Sequence, residues 1–292
     1  MKEGIILKGY SGFYYVKTQN QVYECSLRGK NRIKKVKFLP GDRVKISIIN
    51  ENKGVIEELL PRKNELIRPP LANIEQLIIV SSLANPEPDL WLIDRLTVLA
   101  LWNKVNPIIC FNKADLVSEN QIEELLKIYR QANFITIVSS VKNGQGLADL
   151  KSVLKDKISA FSGPSGVGKS SLLNALQPGL KLTTGQISKK LKRGKHTTRH
   201  VELLSLDFGG VVADTPGFSS LNLPSDILRE ELAFLFPDFE PFRSDCKFNT
   251  CLHKEEPNCA VKKGVEEGKI PVSRYENYIA FIEEVIKQER SY

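Results

Sequence analysis

No apolar run in the sequence is long enough to cross a bilayer, which takes about 20 such residues in a helix. The opening Met-Lys-Glu-Gly is no secretory leader, so neither export nor a membrane partner is expected. Cysteine is scarce too. There are five, an odd number, and three of them cluster late in the chain. That is no secreted disulfide framework, and it places the chain in the reducing cytoplasm. Cys25 and Cys110 fall in strand-like apolar contexts and read as small buried hydrophobes. What is present is a soluble composition, 41% hydrophobic and 26% charged, with 292 residues for two or three domains. A net charge of +8 favours a polyanionic partner.

The stretch Gly163-Pro-Ser-Gly-Val-Gly168-Lys169-Ser170 fits the phosphate-loop pattern. Its glycines let backbone N–H groups curl around phosphate oxygens, Lys169 can reach the outer phosphates, and the Ser170 hydroxyl can ligate Mg²⁺. Residues 156–162 read as the strand before it and 169–176 as the helix after it, whose N-terminal dipole faces the anion.

Upstream, residues 4–9, 12–16, 21–25, 43–49 and 54–59 form five short β-type runs, as in a small oligonucleotide-binding barrel. Between the third and fourth runs, residues 28–37 hold six basic side chains and no acid, a footprint for a phosphate backbone. Prolines and charges at 61–70 mark a linker. Strands at 76–80, 107–111 and 134–138 then alternate with helices at 89–103, 119–131 and 147–155. This rhythm means a mostly parallel sheet with sites at strand C-terminal ends.

Asn112-Lys113-Ala114-Asp115 stands at such an end. The Asp115 carboxylate can accept from the N1–H and 2-amino edge of guanine, which adenine lacks; Asn112 supports the loop, and the Lys113 stem covers the base. Ser139-Ser140-Val141-Lys142 ends the next strand, where a second base-contacting loop is expected. Past the phosphate loop, the basic polar segment 189–200 reads as a mobile loop, followed by a hairpin over 201–213 that turns at Gly209-Gly210. Asp214-Thr215-Pro216-Gly217 comes next; Asp214 can hold Mg²⁺ through water and the Gly217 N–H can meet a γ-phosphate. Ordinary GTPases place the base-reading tetrads after the phosphate loop, whereas here they precede it, so the domain is circularly permuted.

Near the C-terminus, Cys246, Cys251, His253 and Cys259 offer three sulfurs and one imidazole. A structural tetrahedral ion, normally Zn²⁺, fits this set, and the full ligand count leaves no open position for chemistry. The last helix is expected over 274–288 with Tyr278, Ile282, Val285 and Ile286 on its packing stripe.

Barrel, permuted motif order and cysteine cluster together resemble the ribosome-small-subunit-dependent GTPase A family across essentially the whole chain. The resemblance implies an α/β fold with three parts. These are an RNA-binding barrel of the oligonucleotide-binding type (1–65), a permuted Ras-like phosphate-loop domain (66–220) and a mainly helical zinc-binding domain (221–292). It implies GTP hydrolysis on the small ribosomal subunit, in support of its late maturation. GTP or GDP and the subunit with its rRNA are the expected partners of a monomeric chain. By the same carry-over, Asn112 to Asp115 and Gly163, Pro164, Ser165, Gly166, Val167, Gly168, Lys169, Ser170 and Ser171 would bind GTP. Thr198 would be the switch threonine that ligates Mg²⁺, with Thr197 its rival. Phe218 stands where the water-orienting Gln of ordinary GTPases is expected, so His196 becomes the candidate catalytic side chain, or else a contact to RNA phosphate. A nucleotide-gated RNA-binding scaffold is the alternative that Phe218 favours. A phosphate-loop kinase or ATPase is disfavoured by Asn112 to Asp115.

Overall fold

The computed structural model describes residues 1–19, 21–28, 37–67, 69–180, 182, 201–213 and 221–290. Its first five strands are β1 (Lys2–Tyr10), β2 (Phe13–Lys17), β3 (Val22–Leu27), β4 (Arg43–Ile48) and β5 (Lys53–Leu59). They close a barrel in the order β1-β2-β3-β5-β4, in which β3 and β5 run parallel and the other pairs antiparallel. Alternate residues point inward, so Ile6, Val16, Tyr23, Cys25, Val44, Ile46 and Ile56 fill the interior with Phe38.

The segment expected as a plain linker is pinned instead. Glu65–Leu66 (β6) and Leu71–Ala72 (β7) pair antiparallel, and Leu66 and Leu71 are buried. The Arg62 guanidinium donates to both oxygens of the buried Asp42 carboxylate, at 2.7 and 2.8 Å, and Asp42 also accepts the Leu39 N–H at 2.7 Å. Gly41 has φ +93°, and a Cβ there would lie 1.9 Å from the Ala72 carbonyl oxygen. The barrel and β7 therefore meet backbone to backbone at that point.

A six-stranded sheet follows, built from β8 (Gln76–Ser82), β9 (Asn106–Asn112), β10 (Ile135–Val138), β11 (Ile158–Ser162), β12 (Leu203–Ser205) and β13 (Val211–Ala213). Its order is β10-β9-β8-β11-β13-β12, parallel except for the antiparallel edge strand β12. The helices are α1 (Leu90–Trp102), α2 (Glu119–Gln131), α3 (Leu147–Leu154) and α4 (Lys169–Leu176). Asp89 caps α1 through the Leu92 N–H, and Ser118 with Gln121 forms a capping box at α2. Period-two alternation splits each central strand between two cores. Leu77, Ile79, Ile109 and Phe111 face α1 and α2, whereas Ile78, Val80, Ile108 and Cys110 face α3 and α4.

The C-terminal region adds two single turns, α5 (Arg229–Leu232) and α6 (Glu240–Arg243), then α7 (Ala260–Glu266) and α8 (Val272–Glu289). Helix α8 starts two residues earlier than expected and buries Tyr278, Phe281, Ile282 and Val285 in the same core as the α1 face of the sheet. Polar seams accompany this packing. Buried Arg274 bonds Asp94 of α1 at 2.7 Å and Asp238 at 2.7 and 3.2 Å, while Asn277 donates to the other Asp94 oxygen at 2.7 Å. Arg95 grips Glu284 with two bonds of 2.7 and 2.6 Å and donates to the Leu221 carbonyl at 2.6 Å. The helical region thus rests on α1 through a continuous apolar and ionic interface.

Candidate functional site

The phosphate loop runs from the end of β11 into α4. Gly163 (φ +134°) lies so close to β8 that a Cβ would meet the Val80 carbonyl oxygen at 2.0 Å. Gly168 (φ +99°), at the N-cap of α4, would bring a Cβ to 2.3 Å from Asn112 Nδ2. Gly163 and Gly168 are therefore demanded by the neighbouring strands β8 and β9 as well as by the curl of the backbone. Val167 is buried, whereas Ser165 and Gly166 are exposed at the crest of the loop.

Three loops that the sequence scatters are tied together here. Asn112 Nδ2 donates to the Val167 carbonyl at 2.8 Å, and Ser139 Oγ donates to Asn112 Oδ1 at 3.2 Å. Ala114 N–H donates to the Ser139 carbonyl at 3.1 Å, which locks the first tetrad onto the second. Ser140 Oγ donates to Asp115 Oδ1 at 2.5 Å, and Lys142 Nζ stands 3.8 Å from Asp115 Oδ2. The Ser140 hydrogen bond, with lesser help from Lys142 and Lys113, holds the Asp115 carboxyl below its ordinary pKa, so it is an acceptor at neutral pH. Lys113 is left-handed (φ +65°), and its ammonium donates to the Asn85 carbonyl, in the loop after β8. Val141 and Lys142 are exposed beside it.

Lys169 is only 6% exposed; its ammonium curls into the loop and donates to the Gly163 and Pro164 carbonyls at 2.8 and 2.6 Å. Burial pulls its pKa down to about 8. Two carbonyl dipoles compensate a buried cation poorly, so the loop is primed for an anion. Ser170 is buried and Ser171 half-buried at the first turn of α4. β13 ends at Ala213, which pairs with Ala160 of β11, three residues before Gly163. His196, Thr197, Thr198, Asp214, Gly217 and Phe218 lie outside the described residues, as does most of the basic segment after Arg28.

The ligand atoms of Cys246, Cys251, His253 and Cys259 all lie within 4.8 Å of one another. Cys246 Sγ is 3.6 Å from His253 Nδ1 and 3.9 Å from Cys259 Sγ, and His253 Nδ1 is 3.4 Å from Cys259 Sγ. Thiolates at about 2.3 Å and imidazole at about 2.0 Å around a tetrahedral cation put ligand atoms roughly 3.6–3.8 Å apart, so the donor set fits such an ion. Burial pushes the Cys251 thiol up to about 12 and the His253 imidazole down to about 4. Glu256 shapes the loop by accepting the Leu252 and Lys254 N–H groups at 2.7 and 2.9 Å. Tyr275 and Tyr278 donate from α8 to the His253 and Leu252 carbonyls, both at 2.8 Å. Sequence reasoning missed these supports, along with Asn85 as the seat of Lys113, because no local pattern marks a residue that acts through its backbone or from another helix.

A family model described as the RsgA GTPase matches residues 59–224, and one described as the RsgA N-terminal domain matches residues 3–56. The small ribosomal subunit biogenesis GTPase RsgA of Moorella thermoacetica is 51% identical over 290 residues, covering 99% of each chain. The crystal structure of YjeQ from Thermotoga maritima superposes with a TM-score of 0.85 at 40% identity, covering 98% of each chain. That of YloQ, described as a circularly permuted GTPase, gives 0.84 at 41% identity, covering 99% of this chain and 96% of that one.

Proposed function

From the premise that this chain belongs to the RsgA GTPase family, we propose that it hydrolyses GTP on the small ribosomal subunit and supports the subunit's late maturation. One observation carries the nucleotide part. The guanine-reading candidate Asp115 and the phosphate loop belong to one hydrogen-bonded unit, through Ser140, Ser139, Asn112 and Val167. Asp115 accepts from the guanine edge, Lys113 covers the base, and the loop amides from Gly163 to Ser171 wrap the phosphates.

Lys169 leaves its two carbonyls to meet the β- and γ-phosphate oxygens and stabilises the charge that grows there as water attacks phosphorus. The bond to the β–γ bridging oxygen breaks, giving GDP and inorganic phosphate. Ser170, Thr198 and, through water, Asp214 would hold Mg²⁺, which neutralises part of the same charge when bound. Phe218 cannot orient a water, so intrinsic turnover is slow and the ribosomal partner supplies the stimulation, with His196 the candidate side chain. His196→Ala should then abolish stimulated turnover while GTP affinity holds; unchanged turnover removes that role.

Cys246, Cys251, His253 and Cys259 would hold Zn²⁺ as a structural ion that fixes the loop between α6 and α7. Residues 1–65 with the basic segment 28–37 are the RNA-binding part, 66–220 the nucleotide domain and 221–292 the metal-bearing part of a cytoplasmic monomer. Multiple-turnover hydrolysis with purified small or large subunits tests the whole reading. Stimulation by the small subunit alone is expected. Equal rates with and without it would leave the second reading, a nucleotide-gated scaffold, which Phe218 favours.

A further inference from the structure

Arginines in the described interior have carboxylate partners: Asp42 for Arg62, Glu284 for Arg95, Glu289 for Arg229, and Asp94 with Asp238 for Arg274. Arg243 is different: the carboxylate that acts on it, Glu240 on the same helical turn, does so through charge and not as a hydrogen-bond partner of Nε or Nη1. Its Nε and Nη1 are buried and have no hydrogen-bond partner among the described residues. Its guanidinium stacks 3.8 Å from the centroid of Phe234, which supplies a π-face but no acceptor. A buried donor without an acceptor costs free energy, and a charged one costs more.

The position of Arg243 says what is missing. It closes α6, three residues before Cys246, and its carbonyl accepts the Cys246 N–H at 3.3 Å. Without metal the cluster is three thiols and a neutral imidazole, with no net charge. A divalent ion that displaces three thiol protons leaves three negative charges against two positive ones, a net charge of about minus one.

We propose that Arg243 is the counter-ion of the metal-loaded Cys246–Cys251–His253–Cys259 centre, turning its unpaired Nε and Nη1 donors toward the thiolates once the ion is bound. Arg243 is then a positioning residue that costs the empty state free energy and lowers that of the loaded one. The inference rests on reading the cluster as a zinc site.

The test uses the full-length chain and Zn²⁺ itself, with Arg243→Met removing both charge and donors. Competition against a chromogenic chelator should give an affinity weaker by about ten- to a hundredfold, the usual cost of losing a group that supports the ligands. The metal-stripped variant should melt at or above the temperature of metal-stripped wild type, because two buried donors without acceptors are gone. Arg243→Lys should restore most of the affinity. Arg243→Gln, which keeps the stem without the charge, repeats the test if the Met variant does not fold, and it should bind zinc as weakly. Zinc affinity within twofold of wild type overturns the proposal. So does an equal loss of melting temperature in stripped and loaded forms, which would mark Arg243 as packing alone. Wild-type protein that takes up no zinc would remove the metal reading itself, a failure distinct from either.

Discussion

Asn112 and the Val167 carbonyl it bonds are 55 residues apart, whereas the metal cluster spans only 13 from Cys246 to Cys259. The nucleotide pocket is assembled by the sheet. Its loops leave the ends of β9, β10 and β11, and buried hydrogen bonds among Asn112, Ser139 and Val167 fix them before any ligand arrives. The cysteine cluster is local in the chain and sits against the C-terminal side of the core, with His253 and Cys259 buried, where a bound ion would cross-link its four ligands. On the proposed reading, one site is held by the fold and waits for a ligand, whereas the other would use its ligand to help hold its part of the fold.

Metal removal separates the two most strongly. Structural zinc contributes on the order of 10 kcal/mol to small domains, comparable to a whole protein's stability. Stripping the ion, or Cys246→Ser, should lower the melting temperature by more than about 10 °C in calorimetry. Nucleotide affinity at low temperature should fall far less; if it collapses in parallel, the two sites are not separable.

The seam between them comes next. Arg274→Met leaves the buried carboxylates of Asp94 and Asp238 without their cation, which should cost about 3–5 kcal/mol in denaturant unfolding. A single cooperative transition should persist, because α8 and the α1 face of the sheet share a core. Two separate transitions would show that the C-terminal region is independent of that core.

Within the nucleotide pocket, Ser140→Ala frees Asp115 of the hydroxyl that orders it. A hydrogen bond to a charged group is worth about 1.5–3 kcal/mol, so GTP should bind roughly tenfold or more weakly by calorimetric titration. Unchanged affinity would mean that Asp115 is oriented by the backbone alone.

The smallest effect is a pH slope. Lys169 titrates near 8 in the free protein, below an ordinary lysine, and bound phosphates favour its ammonium form. Below pH 8 it is charged in both states and affinity is level. Above pH 8 binding must take up a proton, so affinity should fall by up to about tenfold per pH unit. Calorimetry of GDP binding in buffers of different ionisation enthalpy reads that proton directly, and no uptake at pH 9 would contradict it.

Much of this organisation was legible along the chain because its signals are local. Helices α2 and α4 span the residues expected of them, 119–131 and 169–176. The cysteine spacing and the two tetrads at strand ends are equally local, and the sheet order put those ends side by side. What the sequence hid is long-range. Nothing near 61–70 announces the β6–β7 hairpin, which depends on Gly41 meeting Ala72. Nothing in the α8 stripe marks Arg274 as fully buried, because its partners are 180 and 36 residues away. Nothing around Arg243 in the sequence shows that its buried donors lack an acceptor.

The central claim is that one pocket, assembled from distant loops, selects guanine through Asp115. Asp115→Asn turns the acceptor into an amide that can donate, which suits the 2-oxo edge of xanthine in place of the 2-amino edge of guanine. Titrating this variant and the wild type with GTP, ATP and xanthosine triphosphate is the direct measurement. The account predicts that wild type binds GTP and not ATP, and that the variant loses GTP and gains xanthosine triphosphate. A variant that still binds GTP like wild type would contradict it.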